Sequence, residues 1–250
     1  MFKKTEKDKF VFYSLDDAVT YGWPIRPATD FKMPWFEESK KEFANARKNT
    51  SLVKHTGTHM CSGVMGFLDQ AWILTTWQDV IITTNNDKET FQFQYPCITP
   101  MNPNGVCKTF EDKRLMDHLS LPAETVKNVI KFELPWRFHA PKGWGLKILP
   151  LHYHNETRFT SATGILDPEI SNHINSIVYW HVLDGEVMLK AGTPLCYLYP
   201  IKLNTNFNFE VRTATEKEYN FDRSIQLAMS SSWIQCRSVF SILYKNLFHK

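Results

Sequence analysis

A chain of 250 residues, 43% hydrophobic and 14% aromatic, can bury a substantial core without disulfide or metal staples, and wholesale disorder is excluded. Its 29 basic and 26 acidic residues leave a net charge of +3, too close to balance for a nucleic-acid binder. No stretch reaches the roughly 18 uninterrupted apolar residues of a membrane span, so no membrane association is expected.

The opening MFKKTEKDK reads as a solvated terminus. It runs into FVFYSL, Phe10 to Leu15, whose alternation predicts a strand where a signal peptide would carry a long apolar run. Next comes YGWPIRPATDFKMPWF, in which Pro24, Pro27 and Pro34 forbid regular structure while Trp23 and Trp35 demand burial. The expectation is an extended arm clamped onto the body. EESKKEFANARKN has good helix formers and a Glu37 to Lys41 pairing distance, which predicts a short surface helix.

From Val64 to Tyr95 the pattern is sheet-like, with AWILTTWQDVIITT and ETFQFQY forming a hairpin about the turn NNDK. PCITPMNPNGVCK, Pro96 to Lys108, reads as a loop, and FEDKRLMDHLSL as a helical turn. VIKFELPWRFHAP returns to strand alternation, with Pro135 at a bend or an edge. Between Trp144 and Ile201, WGLKILPLHYH, FTSATGILD, INSIVYWHVL, EVMLK and PLCYLYPI make a series of short strands separated by turns, as a sandwich or barrel requires. The end of the chain changes period. Ile225, Met229, Trp233, Cys236, Phe240, Leu243 and Leu247 advance by three or four and predict an amphipathic helix docked on its own domain.

Five cysteines, Cys61, Cys97, Cys107, Cys196 and Cys236, are odd in number and irregular in spacing, which fits buried free thiols in a reducing cytoplasm better than a disulfide framework. Candidate metal ligands are His152, His154 and Glu156 in LHYHNE. On a strand, residues two apart share a face, and such a set could hold iron or another divalent cation in a cupin-like site. The strand LCYLYPI lacks the histidine that would complete it, and polar side chains at a sheet edge are the competing reading. His55, His59 and Cys61 form a second cluster without a matching pair elsewhere. Nucleophile elbow, Walker loop and dinucleotide fingerprint are all absent from the sequence, so no cofactor is expected.

PKGWGLKI, GILDPEI, INSIVYW and LKAGTPLCYLYPI, with 28 residues from Gly164 to Gly192, resemble the dUTP pyrophosphatase and dCTP deaminase superfamily over about 60 of the 250 residues. That resemblance implies a β-clip or jelly-roll fold, frequently trimeric. It also implies Asp167 as the residue that activates water or holds a sugar hydroxyl, Lys142 near phosphate with magnesium, and Gly164 opening the hairpin. Lys142-Gly143-Trp144 stands where that family has its phosphate-holding arginine and serine, and Ile170 where an aromatic packs on the sugar. Simple turn chemistry is therefore the competing reading of Asp167 and Pro168.

A longer resemblance runs through FVFYSLDDAV, WPIRPATDFKMPWF, CSGVMGFLDQAWILTTWQDVIITTN, PWRFHAPKGWGLKILP, TGILD and LKAGTPLCYLYPI. In that order they look like a group of uncharacterised proteins of tailed phages, especially marine ones. It implies a virion- or assembly-associated protein of the host cytoplasm or the particle, which works through protein partners or self-association. Trp144 and Trp180 are candidate contacts on such an aromatic surface. The expected architecture is an all-β core, a jelly-roll or β-clip-like sandwich over residues 51–210. Residues 1–50 supply the strand, arm and short helix, and residues 211–250 the C-terminal helix.

Overall fold

The computed structural model describes residues 9–49, 58–96, 105–109, 119 and 121–229. Val11–Ser14 (β1) is the expected first strand, and Asp17–Gly22 (α1) follows under an N-cap in which Asp16 accepts from the backbone N–H groups of Ala18 and Val19. The arm is more regular than its prolines suggest. Arg26–Pro27 (β2) pairs with a later strand, a 3₁₀ turn spans Ala28–Asp30, and Pro34–Asn49 (α2) is a helix of 16 residues that begins on a proline. Proline breaks helix interiors but suits the first helical position, where its missing N–H would have no intrahelical acceptor.

Ser62–Leu68 (α3) corrects a sheet expectation, because GVMGFL is too short an apolar run for periodicity to separate helix from strand. The remaining strands are Trp72–Thr75 (β3), Val80–Asn85 (β4), Gln92–Gln94 (β5), Cys107–Thr109 (β6), Val129–His139 (β7), Trp144–Leu149 (β8), Phe159–Ser161 (β9), Gly164–Leu166 (β10), His173–Trp180 (β11), Asp184–Leu189 (β12) and Pro194–Lys202 (β13). They form three antiparallel sheets. The first runs β1-β7-β11-β9 with β6 also on β7, the second β10-β8-β13-β3-β2, and the third β12-β4-β5.

The core is all-β and sandwich-like. Alternate residues of β7 and β11, among them Phe132, Trp136, Phe138, Ile174, Val178 and Trp180, point into one cluster with Leu74, Leu146, Leu198 and Ile82 from the other two sheets. The Ser161 hydroxyl of β9 donates to the Leu195 carbonyl of β13, linking the facing sheets. The expected hairpin exists, but only between β4 and β5, with Asn86 and Lys88 at positive φ in its turn. AWILTT and VIITT are not one strand. Thr76 bonds to Thr193 and Lys190, Asp79 accepts from Ala191 N–H, and the chain switches sheets between them.

The arm covers the outer face of the second sheet, where Ala28, Met33, Trp35 and Phe36 pack with Leu68, Ile73, Leu151 and Tyr197. The Trp35 indole N–H donates to the Tyr153 carbonyl at 2.6 Å.

The chain divides into two compact units, Met1–Asn204 and Thr205–Lys250. Within the second unit Glu216–Met229 (α4) is helical, and the rest of the predicted C-terminal face, from Trp233 to Leu247, lies outside the described residues, as do Cys97, His55 and all of the predicted helical turn at 110–121 except Leu119 and Leu121. No described helix is long and apolar enough to cross a membrane.

Candidate functional site

Pairing in the second sheet brings three chain segments to one end. Leu166, the last residue of β10, lies opposite Leu146 of β8, while Lys202, the last of β13, lies opposite Trp144, the first of β8. The turns leaving these strands therefore converge on a cleft of about 180 Å³, lined by His139, Lys142, Trp144, Asp167, Glu169 and Asn204 among others.

Each wall has a local cause. Pro141 to Trp144 closes a turn through Trp144 N–H to Pro141 O at 3.0 Å, with Gly143 at φ +75°, the third position that a type II turn reserves for glycine. Leu203 N–H donates to Gly143 O at 2.7 Å and fixes the exit of β13 against that turn. Gly145 has no room for a side chain, because a Cβ there would stand 2.5 Å from the Leu166 carbonyl oxygen. Asp167 Oδ1 accepts from Glu169 N–H at 2.9 Å, and its carbonyl accepts from Ile170 and Ser171. Asp167 thus does the work of a turn former, and its carboxylate still has acceptor sites beyond the one used.

Lys142 and Asp167, separated by 25 residues, line the same cleft, with the half-exposed Trp144 ring beside them edge-on to Phe10. His139 stacks on Tyr13 at 4.9 Å between ring centroids. Gly164 starts β10 and is not among the lining residues. The expectation for Trp180 is corrected: its indole is fully buried, stacked on Phe159 at 6.1 Å, and has no open face for a surface partner.

The strand premise for His152, His154 and Glu156 is also corrected, because residues 152–155 form a turn, with Asn155 at φ +52°. In a turn the two-residue parity of a strand does not apply. His154 Nδ1 lies 2.7 Å from the Tyr197 hydroxyl, and burial holds its pKa below the ordinary histidine value. Glu156 accepts from the Arg158 guanidinium at 2.9 and 2.6 Å, and from Arg158 N–H, and that pairing raises the arginine further. His152 and Glu156 line a second cleft of about 190 Å³ with Asn155, Thr160 and Ser161. Among the described residues no three His, Cys, Asp or Glu side chains are placed to hold one metal ion. His59 is bonded through Nδ1 to Ser39 at 2.9 Å, and Cys61 is exposed at the start of α3.

Sequence reasoning found Lys142, Trp144 and Asp167 but missed His139, Glu169 and Asn204. His139, at the end of β7, and Glu169 are two or three residues from Lys142 and Asp167, whereas the register between β8, β10 and β13 is what brings these segments and Asn204 together.

The chain thus has an all-β, sandwich-like core that carries small surface clefts of mixed polar and apolar lining. Neither any protein-family model nor any curated protein matches the chain.

Proposed function

We propose that the chain is a structural or interaction protein of the tailed-phage type, associated with a virion or its assembly, acting through protein partners or self-association. One observation carries this reading. Phe207, Phe209 and Val211 are 82%, 90% and 89% exposed, a row of large apolar side chains left in water. Burying each such side chain is worth about 1.5–3 kcal/mol, so the row favours a partner. The clefts, at about 180 and 190 Å³, fall below the roughly 300 Å³ at which ligand pockets begin, which also favours contact over turnover. Quantitative mass spectrometry of particles purified from infected cells tests the reading. The chain is expected at a fixed copy number per particle, or in assembly intermediates, and consistent absence from both removes the proposal.

The shared placement of Asp167 and Lys142 favours a second reading, a deoxynucleoside triphosphate hydrolase or deaminase. Asp167 would direct water, Lys142 would face phosphate, and magnesium would neutralise the phosphates. Purified protein with dUTP or dCTP and magnesium would then show turnover that Asp167→Asn abolishes while leaving the turn intact. Neither turnover nor a nucleotide-induced rise in melting temperature removes it.

A further inference from the structure

We propose that Asn206–Arg212 is a β-strand whose partner is the same segment of a second copy, paired antiparallel about Phe209. The inference rests on the reading that this chain works through protein contacts, and names the contact.

The segment reads NFNFEVR, apolar at every second position, which is the code of a strand with one buried face. It is nevertheless unassigned to any sheet, and Thr205–Val211 form no backbone hydrogen bond with another described residue. A strand-coded backbone with unpaired N–H and C=O groups and a row of exposed apolar side chains is a template for pairing.

Its C-terminal end is bonded to α4. Arg212 Nη1 and Nη2 each donate to the Glu218 carboxylate at 2.8 Å. Thr215 N–H donates to Glu218 Oε2 at 2.7 Å and Glu218 N–H donates to Thr215 Oγ1 at 3.3 Å, a reciprocal cap that starts α4. The segment is therefore tied to the start of α4.

The identity of the partner follows from polarity and charge. Paired about Phe209, Phe207 faces Val211 of the other copy and Phe209 faces Phe209, so all six apolar side chains share one face. Asn206 then faces Arg212 and Asn208 faces Glu210, so no like charges stand directly opposite. Within each copy, Glu210 and Glu218 both sit beside Arg212, at 3.8 and 2.8 Å, which removes unpaired positive charge from the polar face. A shift of one residue would mix apolar and polar sides, and a shift of two toward the C-terminus would set Glu210 against Glu210. A shift of two toward the N-terminus would leave Val211 opposite Thr205, so the register about Phe209 is the one that pairs all six apolar side chains with one another. Four phenylalanine rings contribute about 600–1,000 Å² of buried area, which suits a weak, concentration-dependent contact.

The test is the molar mass of the full chain by light scattering over a concentration series, beside Phe209→Asp, with thermal unfolding to show that the β core is intact. The expected result is a twofold assembly that Phe209→Asp weakens at least tenfold without changing the melting temperature. Oxidation of Phe209→Cys should yield a 209–209 linked peptide in the mass spectrum, and Asn208→Cys, out of phase with its own copy, should not. A wild-type chain that stays monomeric, a trimer or other assembly indifferent to Phe209→Asp, or equal cross-linking at 208 and 209 overturns the inference. A monomer present in purified particles would remove this contact and leave the proposed function standing, whereas a dimer through 209 in a chain absent from particles would do the reverse.

Discussion

Nε2 of His173 lies 2.7 Å from the carbonyl oxygen of Leu134, the residue before Pro135, in the middle of the longest strand of the fold. A carbonyl only accepts, so the ring carries its proton on Nε2. Proline in a central strand needs such an arrangement. The ladder between β11 and β7 pairs His173 with Arg137 and then Asn175 with Glu133, so β7 bulges across Leu134, Pro135 and Trp136. At the bulge no ladder bond from residue 135 is required, and the carbonyl freed beside it is met by the histidine. His173→Ala is expected to destabilise the chain by about 1–2 kcal/mol, read as a shift of the urea midpoint with an unchanged slope.

Tyr95 makes a comparable repair at the edge of the same sheet. Its hydroxyl accepts from Cys107 N–H at 3.1 Å and donates to Cys107 O at 3.2 Å, and burial raises its pKa to about 12. Gly105, at φ +74°, leaves room for the ring, since a Cβ there would stand 2.0 Å from it. Tyr95→Phe strands two backbone groups and is expected to cost about 1–3 kcal/mol by denaturant unfolding. Gly105→Ala, which strains the backbone and displaces the ring, is expected to cost more.

These repairs mark the border of what the sequence disclosed. Strict alternation in VIKFELPWRFH and HINSIVYW announced β7 and β11, because both bury one face and a period of two has no other cause. LHYH alternates just as well and is a turn, since short periodicity does not register the sharp reversal at Asn155. Pro34 looked like a breaker and is a helix start, a difference of position alone. The cleft was legible only in part. Asp167 and Lys142 sit in recognisable turns, with Glu169 and His139 two or three residues from them, but the meeting of those turns with each other and with Asn204 comes from long-range register, which pairs strands whose partners lie tens of residues away.

Gly145 and Gly164 separate close packing from mere turn preference within one sheet. A methyl group on Gly145 meets the Leu166 carbonyl at 2.5 Å and the Leu203 methyls at 3.0 Å, whereas one on Gly164 meets nothing within 4 Å. Gly145→Ala is expected to destabilise by about 1–3 kcal/mol and to disturb the cleft, and Gly164→Ala to stay within about 0.5 kcal/mol of the parent. Comparison of their melting curves with those of the parent checks both, and equal effects would show that β8 and β10 do not approach as closely as described.

Acid should weaken the fold in a window set by three histidines. Burial lowers the pKa of His154, His173 and His181. At His173, Arg137 and Lys131 push the same way, while the Leu134 carbonyl and Glu133 oppose them. His181 is bonded through Nδ1 to Thr125 at 3.0 Å and through Nε2 to Thr160 at 2.8 Å, and the buried Nε2 of His154 has no hydrogen-bond partner. For each ring the folded pKa lies below the unfolded value of about 6.5, so the folded chain binds fewer protons than the unfolded one. The associated stability is present above about pH 6.5 and is lost as pH falls through the folded values. Glu133, lowered by Lys108 and Lys131, acts only below its ordinary value of 4.5 and leaves the histidine window separate. The melting temperature is expected to decline between about pH 7 and pH 5, and less steeply in His154→Gln, whose amide can still bond to Tyr197 but takes up no proton. A flat profile across that range, or a decline identical in His154→Gln, would show that His154 is not driven to stay neutral by its burial against Tyr197 and Phe31.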